Sequence, residues 1–179
     1  MNRIQKISSY LSLIFSISLV GIPLLSIIRW ILIGTKIFDK FIQTPEGYVN
    51  LSNVAWTPMP QLLGFSADLL GLLPLLISLF YLKIIFKNYQ NGKIFNIKNA
   101  VLYRRLGVLF LIDALLISPL NQALIVLAVT LTNSPGHRYL AVSFGTPNLA
   151  SLFYGIIVII VSWVMLEASK IYEEQKLII

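Results

Sequence analysis

The chain has 179 residues, 57% of them hydrophobic and 12% charged, with a mean hydropathy of +0.82 and a formal net charge of +7. A soluble domain of this length has no core large enough to hide so much apolar surface, so lipid is the expected solvent. The absence of cysteine excludes disulfides, thiolate catalysis and thiol-linked oxidoreduction. The basic residues flank long apolar runs, which points to anionic lipid head groups rather than to nucleic acid.

The start, Met1-Asn2-Arg3-Ile4-Gln5-Lys6, has the look of a secretory signal. The apolar run then continues to about residue 33, beyond the ~7–15 residues of a signal core, and no small-x-small cleavage site precedes a polar segment. It reads as a retained first helix with signal-anchor function. Three further segments, 62–86, 106–131 and 149–168, join 7–33 in meeting the ~20 apolar residues needed to cross the hydrocarbon. Barrel strands alternate apolar and polar positions, whereas these runs are apolar on every face. The expected fold is all-α, a polytopic four-transmembrane-helix bundle forming a single membrane domain over 1–179.

Three segments carry an internal proline, Pro23, Pro74 and Pro119, each of which removes a backbone donor. In the second segment Gly64, Ser66, Ala67 and Gly71 are small enough to permit close approach. Orientation follows from the basic residues. Arg3, Lys6, six residues between Lys83 and Arg105, Lys170 and Lys176 make ten on one side, against Arg29, Lys36, Lys40 and Arg138 on the other. The positive-inside rule then places both termini and the middle connection in the cytoplasm, with the protein in the bacterial cytoplasmic membrane. The long outer connection, 34–61, carries Tyr48 and Trp56, both suited to the interface; it reads as a loop on the lipid surface or as a lid over a site. His137, alone in the other outer connection, reads as a solvated side chain, and no metal or cofactor is expected.

Ionisable groups inside a span require a partner or a purpose. Arg29 and Asp68 lie ~6 Å and ~9 Å below the outer boundary at ~1.5 Å per residue, so they are expected to pair, the alternative being that each reaches the surface separately. Asp113 has no charged partner at its depth; it is expected to be a neutral, hydrogen-bonding carboxyl. Asn121 and Gln122, beside Pro119, either bond across helices or line a wet cavity. No Gly-x-Gly-Asp, His-Glu-x-x-His, Gly-x-Ser-x-Gly or phosphate-binding loop occurs, and an enzyme is not expected.

The middle connection is the most patterned part of the chain. Asn91-Gly92 supplies a positive-φ stop for the second helix. Asn96 is placed to cap the third, with Phe95 able to pack on its first turn. Arg104 and Arg105 are expected at head-group level. The pattern Asn91-Gly92-x-x-Phe95-x-x-x-Asn99, then Leu102-x-Arg104-x-Leu106-Gly107, resembles a bacterial family of small four-helix membrane proteins of unknown function. The tail Glu173-Glu174-Gln175-x-Leu177 carries the same resemblance, although a Thr-Ile-like ending is expected where this chain has Ile178-Ile179. The resemblance covers the chain from the second helix onward, without the long outer loop, and implies no reaction, ligand or catalytic residue. Such proteins are often encoded beside a Cro/CI-type DNA-binding regulator, which implies a cytoplasmic protein partner.

Two classes of function follow. One is a non-enzymatic membrane protein whose cytoplasmic face, at Asn91, Gly92, Phe95, Asn99, Arg104 and Arg105, meets a regulatory partner without binding nucleic acid itself. The other is a small transporter, channel or ligand sensor using Arg29, Asp68, Asp113, Asn121 and Gln122. Oligomeric state is not legible in the sequence.

Overall fold

The computed structural model describes residues 3–33, 35, 56–134, 136–138, 140 and 146–177. They form α1 (Arg3–Leu32), α2 (Pro58–Gln90), α3 (Ile97–Ile112), a π-helical turn (Asp113–Ile117), α4 (Ser118–Thr130) and α5 (Thr146–Leu177). No strand occurs among the described residues. The stretch from α3 through α4 is one continuous span, so four helices are long and apolar enough to cross a membrane.

Helices are the form these runs must take, because hydrocarbon offers the backbone no partner and only a helix pairs its amides and carbonyls within one segment. Their outer faces are apolar too: Leu25 and Val164 are 67% and 63% exposed. Lipid, unlike water, tolerates such a surface. The chain is a multi-pass membrane protein.

The helices outrun the apolar segments. Each span comprises between 28 and 34 residues, against the ~20 that cross the hydrocarbon. The third begins at Ile97, directly after the expected Asn96 cap and well ahead of its apolar segment at 106, and the last reaches Leu177 rather than 168. Hydropathy marks where lipid begins, whereas the hydrogen-bonded ladder ends only where a cap or breaker stops it.

The chain divides into two compact units: Met1–Val20, Pro74–Leu115 and Gly145–Ile179 in the first, Gly21–Leu73 and Leu116–Phe144 in the second. In the first unit α3 packs on α5. The two backbones come close at Gly107 and Gly155, where a Cβ on either glycine would crowd the carbonyl oxygen of the other; glycine makes room for that contact.

In the second unit Trp30 and Ile33 are buried with Trp56 and Phe65 against them. Of the small residues in α2, Ala67 is fully buried. Gly64 leaves room for the Trp30 ring, and Gly71 leaves room for the Asn121 amide. Ser66 does not serve packing. It is exposed, and its hydroxyl donates to the Leu63 carbonyl at 2.8 Å. Residues 34 and 36–55 of the outer connection expected as a surface loop or lid, with Lys36, Lys40 and Tyr48, and the Ile178-Ile179 ending lie outside the described residues.

Candidate functional site

In the second unit the structure brings Arg29 and Asp68 together. Arg29 Nη2 lies 2.5 Å from Asp68 Oδ1, with the two side chains 35% and 16% exposed. The other carboxylate oxygen accepts from the Ser26 hydroxyl at 2.5 Å and the Trp30 indole at 3.1 Å. Ser26, Arg29 and Trp30 sit at helical spacing on α1, so three donors converge on one acceptor of α2. The Arg29 guanidinium carbon is also 5.9 Å from the Trp30 ring centroid, within cation–π range. Gln61 Nε2 donates to the Trp30 carbonyl at 2.7 Å, meeting one of the carbonyls left open at the end of α1. Trp56 packs edge-on to Trp30, with centroids 5.5 Å apart at 82°.

The pairing of Arg29 with Asp68 was legible from depth. Ser26 and Trp30 were not singled out, although i, i+3 and i+4 spacing around Arg29 is a usable signal. The arrangement meets every charge that it buries. The carboxylate receives two neutral donors and one guanidinium, so its acceptor oxygens are both engaged.

Asp113 opens the π-helical turn in the first unit. Its side chain is half-buried and, where a hydrogen-bonding carboxyl was expected, makes no hydrogen bond or ion pair among the described residues. The turn itself has an account. In π register the carbonyl of Ala114 would take its proton from residue 119, which is a proline and has none. Asn148 Nδ2, from the first turn of α5, donates to that carbonyl at 3.1 Å in a buried setting. Asn148 was not foreseen, because its acceptor is a backbone atom freed only by the register change. In the second unit Asn121 is half-buried against Gly71 and its Oδ1 has no hydrogen-bond partner; Gln122 is half-buried and engaged. His137 is exposed, its backbone amide donating to the Ser134 carbonyl at 3.1 Å.

The connection between α2 and α3, within the first unit, is closed by three devices. Gly92 adopts φ 74°, and two bonds end α2 in a Schellman motif: the Gly92 amide donates to the Tyr89 carbonyl at 3.0 Å, the Lys93 amide to the Asn88 carbonyl at 2.9 Å. Asn96 then caps α3, its side chain accepting from the Lys98 amide at 2.9 Å. Asn99, completely buried, ties the two ends together. It accepts from Asn88 Nδ2 at 2.6 Å and donates to the carbonyls of Lys93 and Ile94 at 2.8 and 3.0 Å.

Two expectations change here. Asn99 presents nothing to a partner, since its amide is spent inside the turn. Phe95 packs on Tyr172 of α5, with ring centroids 6.1 Å apart, where packing on the first turn of α3 was expected. Asn91, Gly92, Lys93, Lys98, Arg104 and Arg105 are exposed.

The family described as "Protein of unknown function (DUF2975)" matches residues 39–179. The match begins within the outer connection, upstream of the second helix, where the resemblance read from motifs began. No curated protein and no solved structure matches the chain.

Proposed function

The chain belongs to the family of proteins of unknown function DUF2975, and on that premise we propose that it is a non-enzymatic protein of the bacterial cytoplasmic membrane whose basic turn docks a protein partner. Both termini and the turn then face the cytoplasm. The observation that supports this reading is the turn itself: Asn99 and Gly92 fix its backbone from within, leaving Asn91, Lys93 and Lys98 exposed on a preformed surface. A surface that needs no ordering on association binds with less entropic loss. The matching partner is an acidic protein surface, such as that of a Cro/CI-type regulator.

Orientation is tested by single cysteines at Asn91 and Ser134 in intact cells, using an impermeant thiol reagent. Labelling at 134 and not at 91 is expected; the reverse overturns the cytoplasmic turn. Docking is tested with the full chain in nanodiscs and a regulator encoded beside it. Binding should weaken about tenfold or more in K93E/K98E and fall with rising salt. No binding by the unaltered chain, or binding indifferent to both changes, overturns the docking reading.

A second reading, a small transporter, channel or ligand sensor, draws support from the unpartnered Asp113 carboxyl and the unmet Asn121 Oδ1. It predicts protein-dependent proton or cation flux in liposomes that Asp113→Asn abolishes while the protein stays folded, because the amide cannot ionise. The docking reading predicts no such flux.

A further inference from the structure

One groove in the first unit differs from the rest of the lipid-facing surface. On α3, Val101, Arg104, Arg105, Val108 and Ile112 follow each other at helical spacing and form one wall; Ile77 and Tyr81 of α2 form the other. The groove is open along one side and offers about 520 Å³. Neither arginine makes an ion pair or hydrogen bond among the described residues, and both are exposed. Of the unit's four acidic side chains, Glu167 pairs with Lys170, and Asp113, Glu173 and Glu174 form no ion pair with either arginine. A second groove, about 310 Å³ beside Trp30 in the second unit, has no charged residue in its lining.

Depth agrees with chemistry. The span Ile97–Thr130 has 34 residues, about 51 Å of helix, so a centred ~30 Å hydrocarbon layer leaves ~10 Å at each end. Arg104 is seven residues beyond Ile97, which puts it ~10 Å in, at the boundary where lipid phosphates sit. Val108 and Ile112 continue the same wall one and two turns further, into the depth of acyl chains. Two guanidinium groups suit a phosphate, which they can grip with paired, charge-assisted hydrogen bonds.

We propose that the groove between α2 and α3 holds an anionic phospholipid, its phosphate on Arg104 and Arg105 and an acyl chain along Val108, Ile112 and Ile77. The site requires a membrane location and no protein partner, so it stands or falls apart from the docking reading. It assigns the two arginines of the basic connection to lipid and leaves the turn at 91–98 for other contacts.

The test is native mass spectrometry of the full chain, released from micelles containing equal amounts of phosphatidylglycerol and phosphatidylcholine with matched acyl chains. The unaltered chain should retain phosphatidylglycerol over phosphatidylcholine by about thirtyfold, as two basic contacts near the surface imply. R104Q/R105Q should bring the ratio close to one. K93Q/K170Q, which removes the same charge from exposed positions outside the groove, should leave it unchanged. V108W, which fills the groove and keeps both arginines, should lower retention of either lipid. Circular dichroism and thermal melts establish that each variant is folded; should R104Q/R105Q fail to fold, V108W decides. The proposal is overturned by a wild-type ratio near one, by equal losses in the two double variants, or by unchanged retention in V108W. It is also overturned if millimolar inorganic phosphate displaces the lipid fully, because the site then recognises an anion and not a phospholipid.

Discussion

In the second unit the buried polar centre is charged: the Asp68 carboxylate receives Arg29, Ser26 and Trp30. In the first it is neutral: Asn99 accepts once and donates twice, and Asn148 donates to a carbonyl orphaned by a proline. The difference lies in what each centre must satisfy. Around Asp68 every neighbour is a donor, so an acceptor-only carboxylate fits. Around Asn99 two backbone carbonyls and one amide meet, and only a side chain with both kinds of atom serves them all. The charged centre joins two helices through side chains alone. The neutral one finishes the ends of two helices.

Exchanging the chemistries is the sharpest way to break this comparison. Asp68→Leu should have the largest effect, about 3–5 kcal/mol, since it strands a half-buried guanidinium and two donors. Asp68→Asn should lose less, about 1–3 kcal/mol, because its oxygen still serves Ser26 and Trp30 while the ion pair is gone. Thermal melts of the purified protein check both; equal losses would show that Arg29 adds nothing.

Asn99→Asp should lose about 2–3 kcal/mol, for it turns acceptor atoms toward the carbonyls of Lys93 and Ile94 and leaves both without their donor. Proteolysis between Lys87 and Lys98 should accelerate in parallel. A variant as stable and as resistant as the unaltered chain would remove Asn99 from the centre of the turn.

Gly155→Val should lose about 1–3 kcal/mol by forcing α5 away from the Gly107 carbonyl. Gly21→Ala, where a Cβ meets nothing within 4 Å, should change stability by less than about 1 kcal/mol. The pair of melts separates crossing contact from general intolerance to side chains. Smallest of all, Phe95→Ala should cost about 0.5–1.5 kcal/mol through its ring contact with Tyr172. Tyr172→Ala on that background should add little, because paired residues are not additive.

Sequence and structure divide the molecule along a physical line. The four spans, the stop at Gly92, the cap at Asn96 and the Arg29–Asp68 pair were all legible in advance. Each depends on a short-range rule: apolar length, positive φ, N-cap chemistry, or similar depth from a boundary. The helix ends away from the turn at Gly92 were misplaced because hydropathy follows the solvent and hydrogen bonding follows the backbone. Ser26 and Trp30 escaped notice because neither is ionisable. Asn99 stood out only as a motif letter, since its two acceptors are main-chain atoms that exist as a pair only once Gly92 has turned the chain.

By itself, then, the amino-acid sequence determined that this is an all-helical, four-span membrane protein with a basic middle connection, because transfer into lipid and local backbone preference are properties of single segments. Only the tertiary structure decided that Gly107 meets Gly155, that Asn148 repairs the turn ahead of Pro119, and that Arg104 and Arg105 open onto an apolar groove. Those facts require two helices at a defined rotation and register. A helix whose sides are all apolar carries no mark of which side faces its neighbour, so packing chooses what the pattern leaves open.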